Sequence, residues 1–399
     1  MKIIGISGSN GKTTVAYLLH LYLNSINKSN LLYSSLDFEI AVPNNVRLYE
    51  ILEEAKEKDV AYLILEINEE YIDKIDKNIF DYKVLTNVSV MTEKEKYNEY
   101  KNKLLSFYDN SSINVLCYSP EIEKEEYLNF IGRIQNKTLF GSSYDTSVYE
   151  IDKNLFYSLI FNNNEQVDNI NGIKFYILSE GKELLIKSKM MFDFSAYNIN
   201  CLYALINTLK IYKEEVFIKA IDSPVIPGRC EKIIFRDRTI LITLSIVDIL
   251  EYLYNYKEQG YINNIILVIG SIGIGHDTWS EEFNTKEQEV KLSRAREYAC
   301  SYASNYCDYI YLTSSDPAST DPLKIANEME TYLIESKFYK TKIEINREKA
   351  IEDAIIDSNA GDVIIISGRG NRSKYVKNNI EYNFSDYQLI QRAIKKIGK

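Results

Sequence analysis

The sequence predicts an α/β protein of two domains: a mostly parallel sheet with a small antiparallel insert, followed by a Rossmann-like α/β unit. Two patterns carry this. Short apolar, β-branched runs alternate with charged stretches of helical spacing along most of the chain, as in a parallel sheet covered on both faces. One stretch, Ser223 to Arg229, holds two of the six prolines and a glycine, which places a junction between residues 1–227 and 228–399. With 399 residues, 45% hydrophobic and 26% charged, the chain is long enough for large cores, and disorder or a fibrous repeat is excluded.

Taken in order, Lys2 to Ile6 reads as a strand, residues 7–11 as a turn-rich loop, and Thr13 to Leu23 as a helix. Strands follow at Val60 to Glu66, Tyr82 to Thr86 and Ile113 to Cys117, separated by helical stretches over Leu48 to Lys58 and Lys94 to Tyr108. From Thr138 to Lys189, short alternating runs with Asn-rich and Asn-Gly turns read as an antiparallel insert. Helical spacing returns over Ala196 to Tyr212. Beyond the junction, strands at Thr239 to Leu244, Ile265 to Ile269, Tyr309 to Thr313 and Val363 to Ser367 alternate with helices.

Composition narrows the function. Lys plus Arg is 47 against 57 Asp plus Glu, a net charge of −10 that disfavours sequence-independent binding to nucleic acid or an anionic membrane. No apolar run approaches the ~20 residues of a membrane span. The five cysteines show no C-x-x-C spacing, and the expectation is a reduced, cytoplasmic protein without a disulfide frame. Only His20 and His276 are available, so a three-histidine metal centre is impossible. His20 lies in an apolar run and reads as a packed helix histidine. His276 stands beside three glycines, either as a phosphate or substrate contact or as a surface-turn residue.

The segment Gly8-Ser-Asn-Gly11-Lys12-Thr13-Thr14 sits between a strand and a helix. Glycines there let successive N–H groups face a phosphate, and the helix N-terminus adds positive potential. Lys12 can then reach the β- and γ-phosphates of ATP, and the Thr13 hydroxyl can ligate Mg²⁺. The strict P-loop spacing would put a glycine at position 6, which is Ile6, and Gly8 lies inside the loop instead. Glu66 closes an apolar strand at the end where open parallel sheets bind ligands, and its carboxylate can hold Mg²⁺ directly or through water.

These segments, together with Leu85 to Ser89, Tyr197-Asn198, Pro227-Gly-Arg229, Thr313 to Pro322, Gly361 to Gly370 and Asn383 to Asp386, occur in an order that resembles the Mur ligase family. The likeness is nearest to its UDP-N-acetylmuramoyl-tripeptide synthetase branch and runs from residue 1 to about 390. The resemblance implies a ligase that joins an amine to a carboxylate through an acyl phosphate and releases ADP. It implies that Gly8, Asn10, Gly11, Lys12, Thr13 and Thr14 hold the triphosphate and Mg²⁺, with Glu66 on the metal and Asn198 on the adenine. Arg229 would reach ATP from the junction, and Lys12, Glu66 and Arg229 would form the catalytic set. Ser315 to Ser319 and Ser367 to Gly370 would select the incoming amino acid, with Asp316, Arg369 and His276 as substrate contacts.

Four departures accompany the likeness. The chain begins at the phosphate loop, so the family's domain for a UDP-sugar is expected to be missing, leaving a non-UDP carboxylate as substrate or a protein partner that supplies that domain. Val90 to Lys96 replaces an acidic-histidine stretch, and Asn68-Glu-Glu stands where a histidine follows the metal-binding glutamate. Glu150, with Lys153 close by, falls where the family's carbamoylated lysine would help hold a second metal. Ala318 replaces an arginine that grips a substrate carboxylate, a task left to Arg369 or Arg372. Retention of Lys12, Thr13, Glu66 and Arg229 favours an amide ligase acting on a non-standard carboxylate and an amino acid or amine. The changed second-metal set favours a nucleotide-binding scaffold or regulatory partner. A P-loop kinase or other ATPase fits the loop but not the downstream motifs.

Overall fold

The structure is a computed structural model that describes residues 1–36, 41–89, 94–118, 122–142, 156–160, 167–179, 181–247, 249–274, 285–377 and 380–398. Its contacts divide the chain into two compact units, Met1–Pro224 and Val225–Lys399.

The first unit opens with β1 (Lys2–Ser7), α1 (Lys12–Ser25), β2 (Asn30–Tyr33), α2 (Asn45–Glu57) and β3 (Tyr62–Glu66). It continues with β4 (Tyr82–Leu85), α3 (Lys94–Leu105), β5 (Ile113–Cys117), α4 (Lys124–Gly132), β6 (Lys137–Ser142) and β7 (Phe156–Ile160). Strands β8 (Val167–Asn169), β9 (Gly172–Ser179) and β10 (Lys182–Ser188) and helices α5 (Asp193–Thr208) and α6 (Glu214–Asp222) complete it. The strands form one sheet in the order β10-β9-β7-β6-β5-β4-β1-β3-β2, with β8 paired to β9. β3 is buried along its whole length, which is why its sequence is a continuous apolar run and not an alternation.

Register decides what meets at the sheet's carboxyl edge. β1 lies between β3 and β4, parallel to both, with Ile6 opposite Glu66 and Ser7 opposite Leu85. The residues that leave β1, β3 and β4 therefore emerge side by side.

The insert differs from the reading of Thr138 to Lys189 as antiparallel throughout. β6 pairs parallel with β5 and β7 pairs parallel with β6, and the antiparallel pairs begin only with β8, β9 and β10. The β5–β6 pairing follows from α4, a short helix between those strands that the sequence reading passed over. A strand reached through a helical crossover comes back parallel.

The second unit contains β11 (Arg229–Phe235), β12 (Arg238–Thr243), α7 (Leu250–Glu258), β13 (Ile265–Ile269), α8 (Thr285–Ser304) and β14 (Tyr309–Leu312). Then come α9 (Pro322–Glu335), β15 (Thr341–Ile343), α10 (Arg347–Asp357), β16 (Val363–Ser367), a hairpin of β17 (Lys374–Lys377) and β18 (Ile380–Asn383), and α11 (Asp386–Ile397). Its main sheet runs β11-β12-β16-β13-β14-β15, parallel except for the edge strand β11. Ile240, Ile242, Val268, Ile364 and Ile366 pack against Ala350, Ile351, Leu389 and Ile390 of α10 and α11.

The two helices are also joined by charge. Arg347, first residue of α10, makes a two-pronged bond at 2.8 Å each to Asp386, first residue of α11, and donates to the Ser367 carbonyl at 2.8 Å. Both side chains are essentially inaccessible to solvent. Removing one partner leaves a buried charge uncompensated, so Asp386→Ala is expected to lower stability by about 3–5 kcal/mol. Denaturant unfolding checks this, and an unchanged midpoint would contradict it.

Candidate functional site

β1 ends at Ser7 and α1 begins at Lys12, so residues 8–11 must turn the chain sharply. Gly8 has φ +142° and Gly11 φ +81°, and a Cβ would collide with Thr86 Oγ1 at the first and Asn198 Oδ1 at the second. The chain leaving β4 braces this loop. Thr86 Oγ1 donates to the Asn10 carbonyl at 2.6 Å, and the Ser9 N–H donates to the Asn87 carbonyl at 3.0 Å. The Asn10 N–H donates to Asn87 Oδ1, and the Ser89 N–H to Ser9 Oγ, each at 2.8 Å. From α3, the Tyr100 hydroxyl donates to Ser9 Oγ at 2.8 Å, and burial pushes that phenol up to about 12, so it remains a donor at neutral pH.

α1 starts without a side-chain cap and without an acidic residue in its first turn. Its leading N–H groups are left facing outward at the positive end of the helix, which suits an anion. The Lys12 ammonium lies folded over the loop, 2.8 Å from the Gly8 carbonyl, 3.3 Å from that of Ser9 and 4.0 Å from Glu69 Oε2. Thr13, Thr14 and Glu66 are buried. Thr13 Oγ1 stands 3.1 and 3.0 Å from the two Glu66 oxygens and 2.9 Å from Ser35 Oγ, while the Ser35 N–H donates to Glu66 Oε2 at 2.9 Å.

A hydroxyl and a carboxylate are the hard oxygen donors that suit Mg²⁺, not a soft metal. Among the described residues there is no group of three or more His, Cys, Asp or Glu placed to hold a metal. Thr13 and Glu66 therefore fit a cation that takes the rest of its shell from phosphate and water. Glu150, expected as a further ligand, and His276, expected at the substrate, both lie outside the described residues.

In the second unit the structure brings two of the sequence motifs together. A Cβ on Gly228 would collide with the Asn371 N–H, and one on Gly370 would stand 3.2 Å from the Gly228 carbonyl and 3.5 Å from Arg229 Nη1. Pro227 to Arg229 thus lies against Gly370 and Asn371. Glu231 accepts the Gly228 N–H at 3.1 Å, and burial raises its carboxyl above the usual range.

Asp316 and Arg369 also meet, as an ion pair of 2.6 Å with 1% and 0% of the two residues exposed. Arg369 donates to the Lys374 carbonyl as well and lies over the Phe384 ring at 4.9 Å. Burial draws its guanidinium below its ordinary range while Asp316 opposes that shift. Both side chains are turned into the core toward each other, and Arg372, 25% exposed and 3.5 Å from Asp316 Oδ2, is the arginine of this segment nearer solvent. Thr313 Oγ1 and Ser315 Oγ are buried without a hydrogen-bond partner among the described residues. Most buried hydroxyls in folded proteins are hydrogen-bonded, so these two are exceptions at this edge of β14 and β16.

Sequence reasoning missed Ser35 and Tyr100. Tyr100 looked like one polar residue of a charged helix, and Ser35 follows β2, a four-residue strand too short to stand out. His20 is half-buried between two amides, Asn30 at 2.6 Å and Asn24 at 3.1 Å, which makes it part of the local packing of α1.

The glycine requirement is testable through stability. Gly11→Ala combines a left-handed φ with a blocked Cβ and is expected to cost about 1–3 kcal/mol. Gly132→Ala, where a Cβ meets nothing within 4 Å, is expected to be neutral or stabilising. Equal thermal shifts for the two variants would contradict the account.

The family model described as the Mur ligase middle domain matches residues 6–206. A UDP-N-acetylmuramoyl-L-alanyl-D-glutamate–2,6-diaminopimelate ligase from Fusobacterium nucleatum is 23% identical over 419 residues, covering 99% of this chain and 77% of that protein. The solved structure of MurF ligase from Thermotoga maritima in complex with ADP superposes with a TM-score of 0.60 at 14% identity, over 99% of this chain and 79% of that one. A bifunctional folylpolyglutamate synthase/dihydrofolate synthase from Yersinia pestis, complexed with AMPPNP and a Mn ion, gives 0.61 at 12% identity, over 92% and 86%. No described helix is long and apolar enough to cross a membrane. Since the family match spans half the sequence and takes in the phosphate loop, Glu66 and Asn198, the chain belongs to the Mur ligase family.

Proposed function

We propose that the protein is an ATP-dependent, ADP-forming amide ligase that couples a carboxylate to an amino acid or amine. Members of its family are ATP-dependent amide ligases. The observation that carries the reading is the juxtaposition of an uncapped helix N-terminus and glycine loop with Thr13, whose hydroxyl lies 3.0 Å from Glu66. One hydroxyl and one carboxylate behind a phosphate cradle suit a nucleotide whose metal is shared with its phosphates.

In this mechanism the N–H groups at the start of α1 bind the phosphates, and Lys12 exchanges the Gly8 and Ser9 carbonyls for the β- and γ-phosphates. Thr13 and Glu66 hold Mg²⁺, which when bound offsets phosphate charge during transfer. Asn10 keeps the loop in register through Asn87 and Ser89, and Asn198, beside Gly11, is assigned to the nucleotide. A substrate carboxylate oxygen forms a bond to the γ-phosphorus as the bond to the bridging oxygen breaks and ADP departs. The amine nitrogen then bonds to the acyl carbon, the acyl–oxygen bond breaks, inorganic phosphate leaves and the amine gives up a proton. Arg229 is assigned as a cationic contact to ATP, tested by Arg229→Ala.

On the amine side, the Asp316–Arg369 pair holds the segment, and Arg372 is assigned to a substrate carboxylate through two-pronged hydrogen bonding. Ala318, buried with φ +46°, stands where the resemblance places a substrate-gripping arginine, which supports a non-standard substrate pair. Five free cysteines support a reducing, cytoplasmic setting.

Two measurements test this. Lys12→Ala is expected to weaken ATP binding by about 2–4 kcal/mol, as for loss of one charged contact in a partly dry site, and unchanged calorimetric affinity would refute the loop assignment. Phosphate release from ATP, followed across a panel of carboxylates with and without UDP and of amino acids, is expected to need both a carboxylate and an amine. Release that ignores both would favour a simple ATPase, and binding without turnover would favour the scaffold reading.

A further inference from the structure

We infer that Ser35 is a positioning residue for the divalent cation, holding Glu66 by its backbone and Thr13 by its hydroxyl. The inference rests on the Mg-nucleotide reading of the loop. It starts from the sheet: β2 pairs parallel with β3, Tyr33 opposite Leu65, so the chain leaving β2 passes Glu66 on the side away from β1. Ser35 is the residue that arrives there. Its N–H donates to Glu66 Oε2 at 2.9 Å, and its Oγ lies 2.9 Å from Thr13 Oγ1.

The proton count explains why both contacts matter. A threonine hydroxyl has one proton and two lone pairs. When Thr13 turns a lone pair toward a cation, its proton needs an acceptor on the other side. Glu66 accepts it in the structure described here, at 3.0 and 3.1 Å, but a carboxylate drawn to the cation is a poorer partner for that proton. Ser35 Oγ is the other oxygen within reach. The Ser35 N–H meanwhile anchors one oxygen of Glu66 and leaves Oε1, which receives only Thr13 among the bonds described, to face the metal. One residue thus orients both metal-holding groups, and outer partners of this kind commonly set metal affinity.

The experiment uses the full chain and Mn²⁺ as the probe, titrated by electron paramagnetic resonance in the presence of a saturating non-hydrolysable ATP analogue. A parallel calorimetric titration measures the same analogue with chelator and no metal. Ser35→Ala is expected to weaken Mn²⁺ binding roughly 10-fold or more, leave metal-free nucleotide affinity within about twofold, and be rescued by Ser35→Thr, which keeps a hydroxyl and the N–H. Parent-like Mn²⁺ affinity in Ser35→Ala overturns the inference. So does an equal loss with and without metal, which marks general damage to the loop, and so does a Ser35→Thr variant as weak as Ser35→Ala. If the parent chain binds neither the analogue nor Mn²⁺, the nucleotide reading itself fails and takes this inference with it, an outcome separate from failure of Ser35 alone.

Discussion

The first unit's site depends on β1 being held in parallel register between β3 and β4. That register is fixed by burial. β3 and β4 are buried along their whole length, and a shift of one residue would send every side chain to the opposite face of the sheet. With Ile6 opposite Glu66 and Ser7 opposite Leu85, the loop after β1 meets the ends of both neighbours. Glu66 then faces the start of α1, and Thr86 to Ser89 can zip along residues 9 and 10. None of these contacts is local in sequence. The loop's two left-handed glycines are tolerated because contacts between residues 76 to 80 apart are brought together by the sheet itself, not by the loop.

The second unit solves a similar problem with charge. Its sheet ends carry carbonyls that no strand satisfies, and Arg347 donates to those of Ser367 and, at 3.4 Å, Ser314. Asp386 compensates that arginine, as Asp316 compensates Arg369. Each pair removes a guanidinium from water, a cost recovered only when geometry is good and the remaining donors are used. Arg347 meets that condition by donating its other N–H groups to the carbonyls of Ser314 and Ser367. The arrangement fixes the turns after β14 and β16 more tightly than apolar packing alone would, because a guanidinium donates its hydrogen bonds only in its own plane.

What could be read from the sequence followed the length and continuity of each signal. The phosphate loop was legible because glycine, lysine and threonine sit between a strand and a helix within seven residues, Gly8 to Thr14. Glu66 was legible because it ends a pure apolar run. Ser35, Tyr100 and the bracing role of Asn87 were not, because each acts through a partner distant in the chain, and nothing local marks it. Asp316 and Arg369 were read as substrate contacts, but sequence carries no information on which way a side chain turns. Burial turned them toward each other. The parallel pairing of β6 was hidden for a related reason: α4 is nine residues long, and so short a helix gives little periodicity to detect.

The make-up of the pair proposed to hold the metal, Thr13 and Glu66, has a thermodynamic consequence. A cation held by one hydroxyl and one carboxylate keeps most of its shell for water and phosphate, since Mg²⁺ demands six near-octahedral oxygens. Such a site binds metal weakly without nucleotide and nucleotide more tightly with metal. The two affinities are linked by one coupling free energy, equal in both directions. A protein cage of several carboxylates would break that link, because it would hold the cation whether or not phosphate was present. It would also add negative charge beside an already anionic triphosphate. A small protein share, as among the described residues, oriented through neutral groups such as the Ser35 N–H and hydroxyl, would leave the positive end of α1 and Lys12 to act on the phosphates. Glu69, partly exposed, stands 4.0 Å from the Lys12 ammonium and balances part of its charge.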